Sequence, residues 1–131
     1  MKMTMGRRTF VGGAMTAASA LRVAGANDRI RLGIMGVGNR GTYLAQAAAQ
    51  EPGTEFVAVC DVWDFRRDRT DKQLGKPVAK YADYRKVLEH KDIDAVIIAV
   101  WDHMHCAMAV DACQAGKDVF LEKPMTLHPM E

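Results

Sequence analysis

The segment Gly36-Val37-Gly38-Asn39-Arg40-Gly41 constrains the fold more than any other part of the sequence. It follows directly on the short apolar run Ile30-Arg31-Leu32-Gly33-Ile34-Met35 and precedes residues 42–50, rich in alanine and leucine and unbroken until Pro52-Gly53. A short apolar run closing on glycine suits a buried first strand, and the stretch after the turn suits a helix packed against a sheet. Phe56-Val57-Ala58-Val59-Cys60 then makes a second strand. Strand, glycine turn, helix and strand in about thirty residues form a βαβ unit, whose crossover is right-handed by rule.

The alternation continues along the chain. Residues 63–74 read as a charged, exposed helix ended by Gly75 and Pro77, and a short third strand follows over residues 78–81. Asp83 is placed to cap a helix over residues 84–90. Ala95-Val96-Ile97-Ile98-Ala99-Val100 is a continuous apolar run, as expected of a central parallel strand buried on both faces. A further helix over residues 105–115 stops at Gly116 and leads into the strand Val119-Phe120-Leu121. The order predicts an α/β fold of three layers, a Rossmann-type doubly wound parallel sheet with strand order 3-2-1-4-5. With 131 residues, 49% hydrophobic and 26% charged, one modest core is the ceiling.

The formal net charge of +2 conceals an asymmetry, because residues 1–26 carry Lys2, Arg7, Arg8 and Arg22 and no acid. Without those four, 14 basic residues stand against 16 acidic ones, so the body has no basic excess and nucleic acid is not an expected partner. Residues 1–26 themselves read as an address: a basic start, an apolar stretch over residues 10–21 and the small-residue ending Ala24-Gly25-Ala26. The apolar stretch is too short to span a bilayer, so no stable membrane insertion is expected. Gly6-Arg7-Arg8-Thr9-Phe10-Val11 resembles a twin-arginine export signal, with Gly6 where such signals usually carry Ser. The expected division is a twin-arginine-like signal peptide over residues 1–26 and a single domain over residues 27–131. Export to a bacterial periplasm follows from that reading; a basic extension of a cytoplasmic protein is the alternative. Cys60, Cys106 and Cys113 are too few and too irregular for a disulfide framework and read as structural thiols.

Within the glycine turn, Gly36 permits the tight bend, Gly38 lets backbone approach a pyrophosphate and Gly41 lets the helix pack closely on the strand. Asn39 and Arg40 share that turn, and the helix N-terminus faces the phosphates' negative charge. Taken alone, the pattern also fits a purely structural turn. Asp61 supplies the context, since it ends the second strand twenty residues past Gly41, where a carboxylate accepts hydrogen bonds from the adenosine ribose hydroxyls. It would repel a 2′-phosphate, which favours NAD as cofactor. NADP stays possible through Arg66, Arg67 and Arg69, whose other reading is a solvated helix face.

From residue 30 onward the chain resembles the Gfo/Idh/MocA oxidoreductases, a family that includes glucose-fructose oxidoreductase and inositol dehydrogenase. The resemblance rests on ordered motifs: residues 36–41, Asp61, Asp94-Ala95-Val96-Ile97-Ile98-Ala99, Asp102-His103-Met104-His105, Ala115-Gly116-Lys117-Asp118-Val119 and Glu122-Lys123-Pro124. Val100-Trp101 departs from the family's usual Thr-Pro. The resemblance implies that Lys123 sits beside the nicotinamide and helps bind and polarise the hydroxyl or carbonyl of a sugar or polyol substrate. Trp101, His105 and Glu122 join it as expected cofactor contacts. Without its flanking Glu122 and Pro124, Lys123 would read as a surface residue at a strand end.

Asp102, His103, His105 and Cys106 invite a metal reading, but neighbours two apart do not share a helix face and no second pair has metal spacing, so no metal is expected. Trp63 and Trp101 either flank the two ends of a cleft or serve as packing aromatics. Residues 126–131 read as the opening of another helix with Pro129 in its first turn. The resemblance implies a second α/β substrate domain beyond it, one that supplies a catalytic histidine and the usual homo-oligomer contacts. The sequence is therefore expected to bind dinucleotide and to turn over poorly or not at all by itself. Three functions compete: a sugar or polyol dehydrogenase, an NAD-dependent glycosidase of a related group, and a non-catalytic dinucleotide-binding module. The resemblance implies that those glycosidases lack the lysine, so Lys123 favours the dehydrogenase.

Overall fold

The computed structural model describes residues 29–130, and the leader read over residues 1–26 lies outside them. Five parallel strands form one sheet in the order β3-β2-β1-β4-β5. They are β1 (Ile30–Met35), β2 (Thr54–Cys60), β3 (Ala79–Tyr81), β4 (Ala95–Ile98) and β5 (Asp118–Leu121). Helices α1 (Asn39–Ala49), α2 (Asp64–Leu74), α3 (Tyr84–Leu88) and α4 (His105–Gln114) alternate with them, and one 3₁₀ turn, Asp102–Met104, precedes α4. The strand order agrees with the order read from the sequence.

The pleat explains the three layers. Successive strand residues point to opposite faces, so Ile34 packs with Val37, Ala45 and Val59 while its neighbour Met35 packs with Ala58, Val96 and Met108. Leu44 and Ala48 of α1 and Leu74 of α2 close over the first group, whereas Val87 of α3 and Ala112 of α4 belong to the second. β4 serves both layers: Val96 and Ile98 face one and Ile97 the other, each less than a tenth exposed. Fully burying a side chain of this size stabilises the fold by about 1.5–3 kcal/mol. β5 lies at the sheet edge and is less covered, with Phe120 55% exposed.

Local signals set most boundaries. Asp83 caps α3 by accepting from the Arg85 N–H at 3.0 Å, and Gly75 ends α2 in the left-handed region at φ 70°. Two expectations change. Helix α1 starts at Asn39, three residues before the expected start, because Gly38 takes the extended N-cap position and Gly41 falls inside the helix. Residues 126–130 form bends and a turn with no helix.

Candidate functional site

The glycine turn leaves the carboxyl end of β1, next to β2 and β4 on either side. Gly36 has φ 84°, and a Cβ there would stand 2.5 Å from the Ala99 carbonyl oxygen, so both conformation and space require glycine. Its N–H donates to the Cys60 carbonyl at 2.8 Å, which ties the turn to β2. Gly41 is buried against the Gly36 carbonyl, and a Cβ at Gly41 would overlap that oxygen. Gly38 is different: the atoms nearest its absent Cβ belong to the Arg66 guanidinium, 3.6 Å away, so bare backbone faces the cleft.

Asp61 follows β2 directly and is bonded to the glycine turn. It is 7% exposed, and its Oδ2 accepts the Val37 N–H at 3.0 Å while Oδ1 accepts the Trp63 N–H at 3.0 Å. Each carboxylate oxygen keeps a second lone pair, and Asp61 lines the cleft. Of the three arginines after it, two are committed to the fold. Arg67 donates to the Asp61 carbonyl at 2.5 Å, and Arg69 donates to the Val37 carbonyl and the Thr42 hydroxyl, each at 3.1 Å. Arg66 alone of the three lines the cleft; its Nη1 lies 3.8 Å from Asp61 Oδ2 and its guanidinium covers the Trp63 ring at 5.2 Å.

The far wall comes from the ends of β3 and β4. Tyr84 follows β3, reaches the cleft and is held by its hydroxyl donating to Asp111 at 2.6 Å. Val100, the 76% exposed Trp101 and Met104 form the β4 side. The cleft has a volume of about 700 Å³, in the range of small-molecule and cofactor sites. Cys60 forms part of its floor; burial, reinforced by the Asp61 charge, pushes its thiol up to about 12, so it stays protonated at neutral pH.

Glu122 and Lys123 follow β5. Arg40 donates from Nε at 2.7 Å and from Nη2 at 2.6 Å to one Glu122 oxygen. That hydrogen bond is the main reason the Glu122 carboxyl lies below its usual range. Lys123 is exposed, and its peptide bond to Pro124 is cis. His105 is 1% exposed, with Nδ1 at 2.5 Å from the Pro124 carbonyl and Nε2 at 3.2 Å from the Val100 carbonyl.

The structure thus gathers Gly36, Gly38, Asn39, Arg40, Asp61 and Trp101 on one cleft. Gly41 packs behind it, as the third glycine of such a turn should. His105 differs from the expectation of direct cofactor contact: it is buried behind the wall and ties the β4 loop to the Lys123-Pro124 segment. Glu122 reaches the cleft through Arg40, and Lys123 stands outside the lining. The segment with Ala82 and Tyr84 was not foreseen as a wall, although the strand order places every residue just after β3 at the same sheet end. Among the described residues no group of three His, Cys, Asp or Glu side chains is placed to hold a metal, and no helix is long and apolar enough to cross a membrane.

These residues fit a dinucleotide: side-chain-free backbone at Gly38, a helix N-terminus beside it, and a buried carboxylate on the same cleft. Comparison with known proteins agrees. A family model described as an oxidoreductase family with an NAD-binding Rossmann fold, GFO_IDH_MocA, matches residues 30–131. A glycosyl hydrolase family 109 protein of Shewanella baltica is 36% identical over 108 residues, 76% of this chain and 24% of the relative. An inositol 2-dehydrogenase of Salmonella typhimurium is 34% identical over 99 residues, 75% of this chain and 30% of the relative. The crystal structure of scyllo-inositol dehydrogenase from Lactobacillus casei with bound NAD(H) and scyllo-inositol superposes with a TM-score of 0.71 at 33% identity, covering 76% of this chain and 29% of the other. The chain spans less than a third of the length of each of these relatives.

Proposed function

The chain belongs to the Gfo/Idh/MocA oxidoreductase family, and from that premise we propose that it is the dinucleotide-binding part of an NAD-preferring sugar or polyol dehydrogenase. The observation that carries the cofactor preference is the buried Asp61 carboxylate, fixed by the Val37 and Trp63 N–H groups at the side of the glycine turn. Gly36, Gly38, Asn39 and Arg40 hold the pyrophosphate, Asp61 takes the adenosine ribose, and Trp101 borders the nicotinamide end. The nicotinamide supplies the hydride acceptor. Lys123 binds the reacting oxygen and polarises it, and Glu122 holds Lys123 in register with the turn. The inositol dehydrogenases among the relatives support a polyol substrate.

A second reading is kept for one reason, the 36% identity to a glycosyl hydrolase family 109 protein. Lys123 separates the two, since the dehydrogenase needs a proton-handling group at the reacting oxygen. The remaining proposals concern the whole protein. The substrate pocket and any catalytic histidine lie in a second domain, which also carries homo-oligomer contacts, and residues 1–26 direct export to a bacterial periplasm; without a working leader the protein is cytoplasmic. Calorimetric titration of the chain with NAD and NADP tests the cofactor assignment: NAD binds more tightly, and Asp61→Ala loses that preference. Absence of binding by both cofactors defeats the reading.

A further inference from the structure

We propose that Arg40 is a positioning residue with two attachments, the pyrophosphate side of the cleft and the Glu122 carboxylate, and that through the second it fixes the Lys123 segment relative to the bound dinucleotide. The inference rests on the dinucleotide-binding reading above. A guanidinium carries five N–H donors in a planar fork. Two of them, on Nε and Nη2, meet one Glu122 oxygen at 2.7 and 2.6 Å. Three remain for a phosphate on the cleft wall that Arg40 helps to form. One residue therefore bridges two anions, and it also neutralises a glutamate that would otherwise repel the pyrophosphate.

Lys123 is bracketed by its neighbours. On one side the Glu122 N–H donates to the Ile98 carbonyl at 3.0 Å, and its carboxylate is held by Arg40. On the other the Pro124 carbonyl meets the His105 ring at 2.5 Å. The two side-chain tethers differ in kind. His105 is 1% exposed and part of the core, whereas the Arg40 side chain is 58% exposed, so an anion entering the cleft meets it directly. Arg40 is the tether through which occupancy of the pyrophosphate site reaches Lys123.

The test titrates the full chain and its R40L, R40K and E122Q variants with NAD and with ADP, which has a pyrophosphate but no nicotinamide. E122Q is expected to weaken NAD binding by about threefold to tenfold and to leave ADP binding no weaker, the modest size reflecting a partly exposed pair. R40L weakens both ligands. R40K keeps a charge for the phosphate but lacks the fork, so it retains ADP binding and behaves as E122Q toward NAD. The proposal is overturned if E122Q binds NAD as the wild type does, or if R40L leaves ADP binding intact. Failure of the wild type to bind NAD and ADP at all defeats the dinucleotide reading itself, a result distinct from either. E122Q is isosteric at a side chain 13% exposed and R40K shortens one that is 58% exposed, so circular dichroism matching the wild type separates a lost tether from a lost fold.

Discussion

The carbonyl oxygen of Gly36 occupies the space that a side chain at Gly41 would need. That contact seats α1 on the end of β1 and keeps the helix's first turn against the cleft. Gly41→Ala is therefore expected to destabilise the fold by about 1–3 kcal/mol or more, because backbone rather than a flexible side chain must yield. Gly53→Ala is the control: a Cβ there has nothing within 4 Å, and its effect should stay within about 0.5 kcal/mol. Urea unfolding of both variants measures the contrast, and equal midpoints would contradict the packing argument.

Replacing Asp61 strips acceptors from two backbone N–H groups. Asp61→Ala should cost about 2–4 kcal/mol of stability, since it orphans the Val37 and Trp63 donors. Arg66→Ala should leave stability nearly unchanged, because the guanidinium's contacts are an ion pair at 3.8 Å and an exposed ring face. Its effect belongs to cofactor choice: affinity for NADP falls while that for NAD holds or improves. Paired melting curves and titrations separate the two residues.

Alkaline pH should weaken the fold through Cys60. The folded thiol is pushed up to about 12 from an ordinary value near 9, so the folded state holds its proton where the unfolded chain has released it. Stability from this group is complete below about pH 9 and declines by about 1.4 kcal/mol per pH unit between the two values. The difference in unfolding free energy between the wild type and Cys60→Ala should narrow across that window. Thiol-specific alkylation at pH 8 should reach the exposed Cys113 and spare Cys60.

His105→Phe keeps a buried aromatic ring, slightly larger, and removes its link to the Val100 and Pro124 carbonyls. A loss of about 1–3 kcal/mol is expected. Hydrogen exchange gives the local signature: the Glu122 amide, bonded to the Ile98 carbonyl, should lose protection more than amides in β1. Uniform loss along the sheet would assign His105 to general packing.

The parts of the fold written in short-range pattern were legible. The strand Ile30–Met35 was read to the residue because its apolar run stops at Gly36, and the αL glycine after Leu74 and the Asp83 cap set two helix ends by local chemistry. The start of α1 was misplaced because Gly41 looks like a turn residue, while the fold uses its missing Cβ inside a helix. Contacts between distant segments left no local trace. Arg40 and Glu122 lie 82 residues apart, and neither advertises the other. The His105 motif marked a functional region but not that its ring would be buried, which depends on how the β4 loop and the Lys123-Pro124 segment close over α4.

Helix α1 begins at Asn39 behind the N-cap Gly38, with no side-chain cap and no acid in its first turn. Most helices satisfy those first N–H groups from within the chain. On the proposed reading a phosphate in the cleft supplies what a Ser or Asp would have given, and ligand and fold then share one equilibrium. The free energy of unfolding then rises with the logarithm of dinucleotide concentration once the site begins to fill, about 2.7 kcal/mol at a hundredfold excess over Kd. In a cell the lifetime of this domain would follow its cofactor supply.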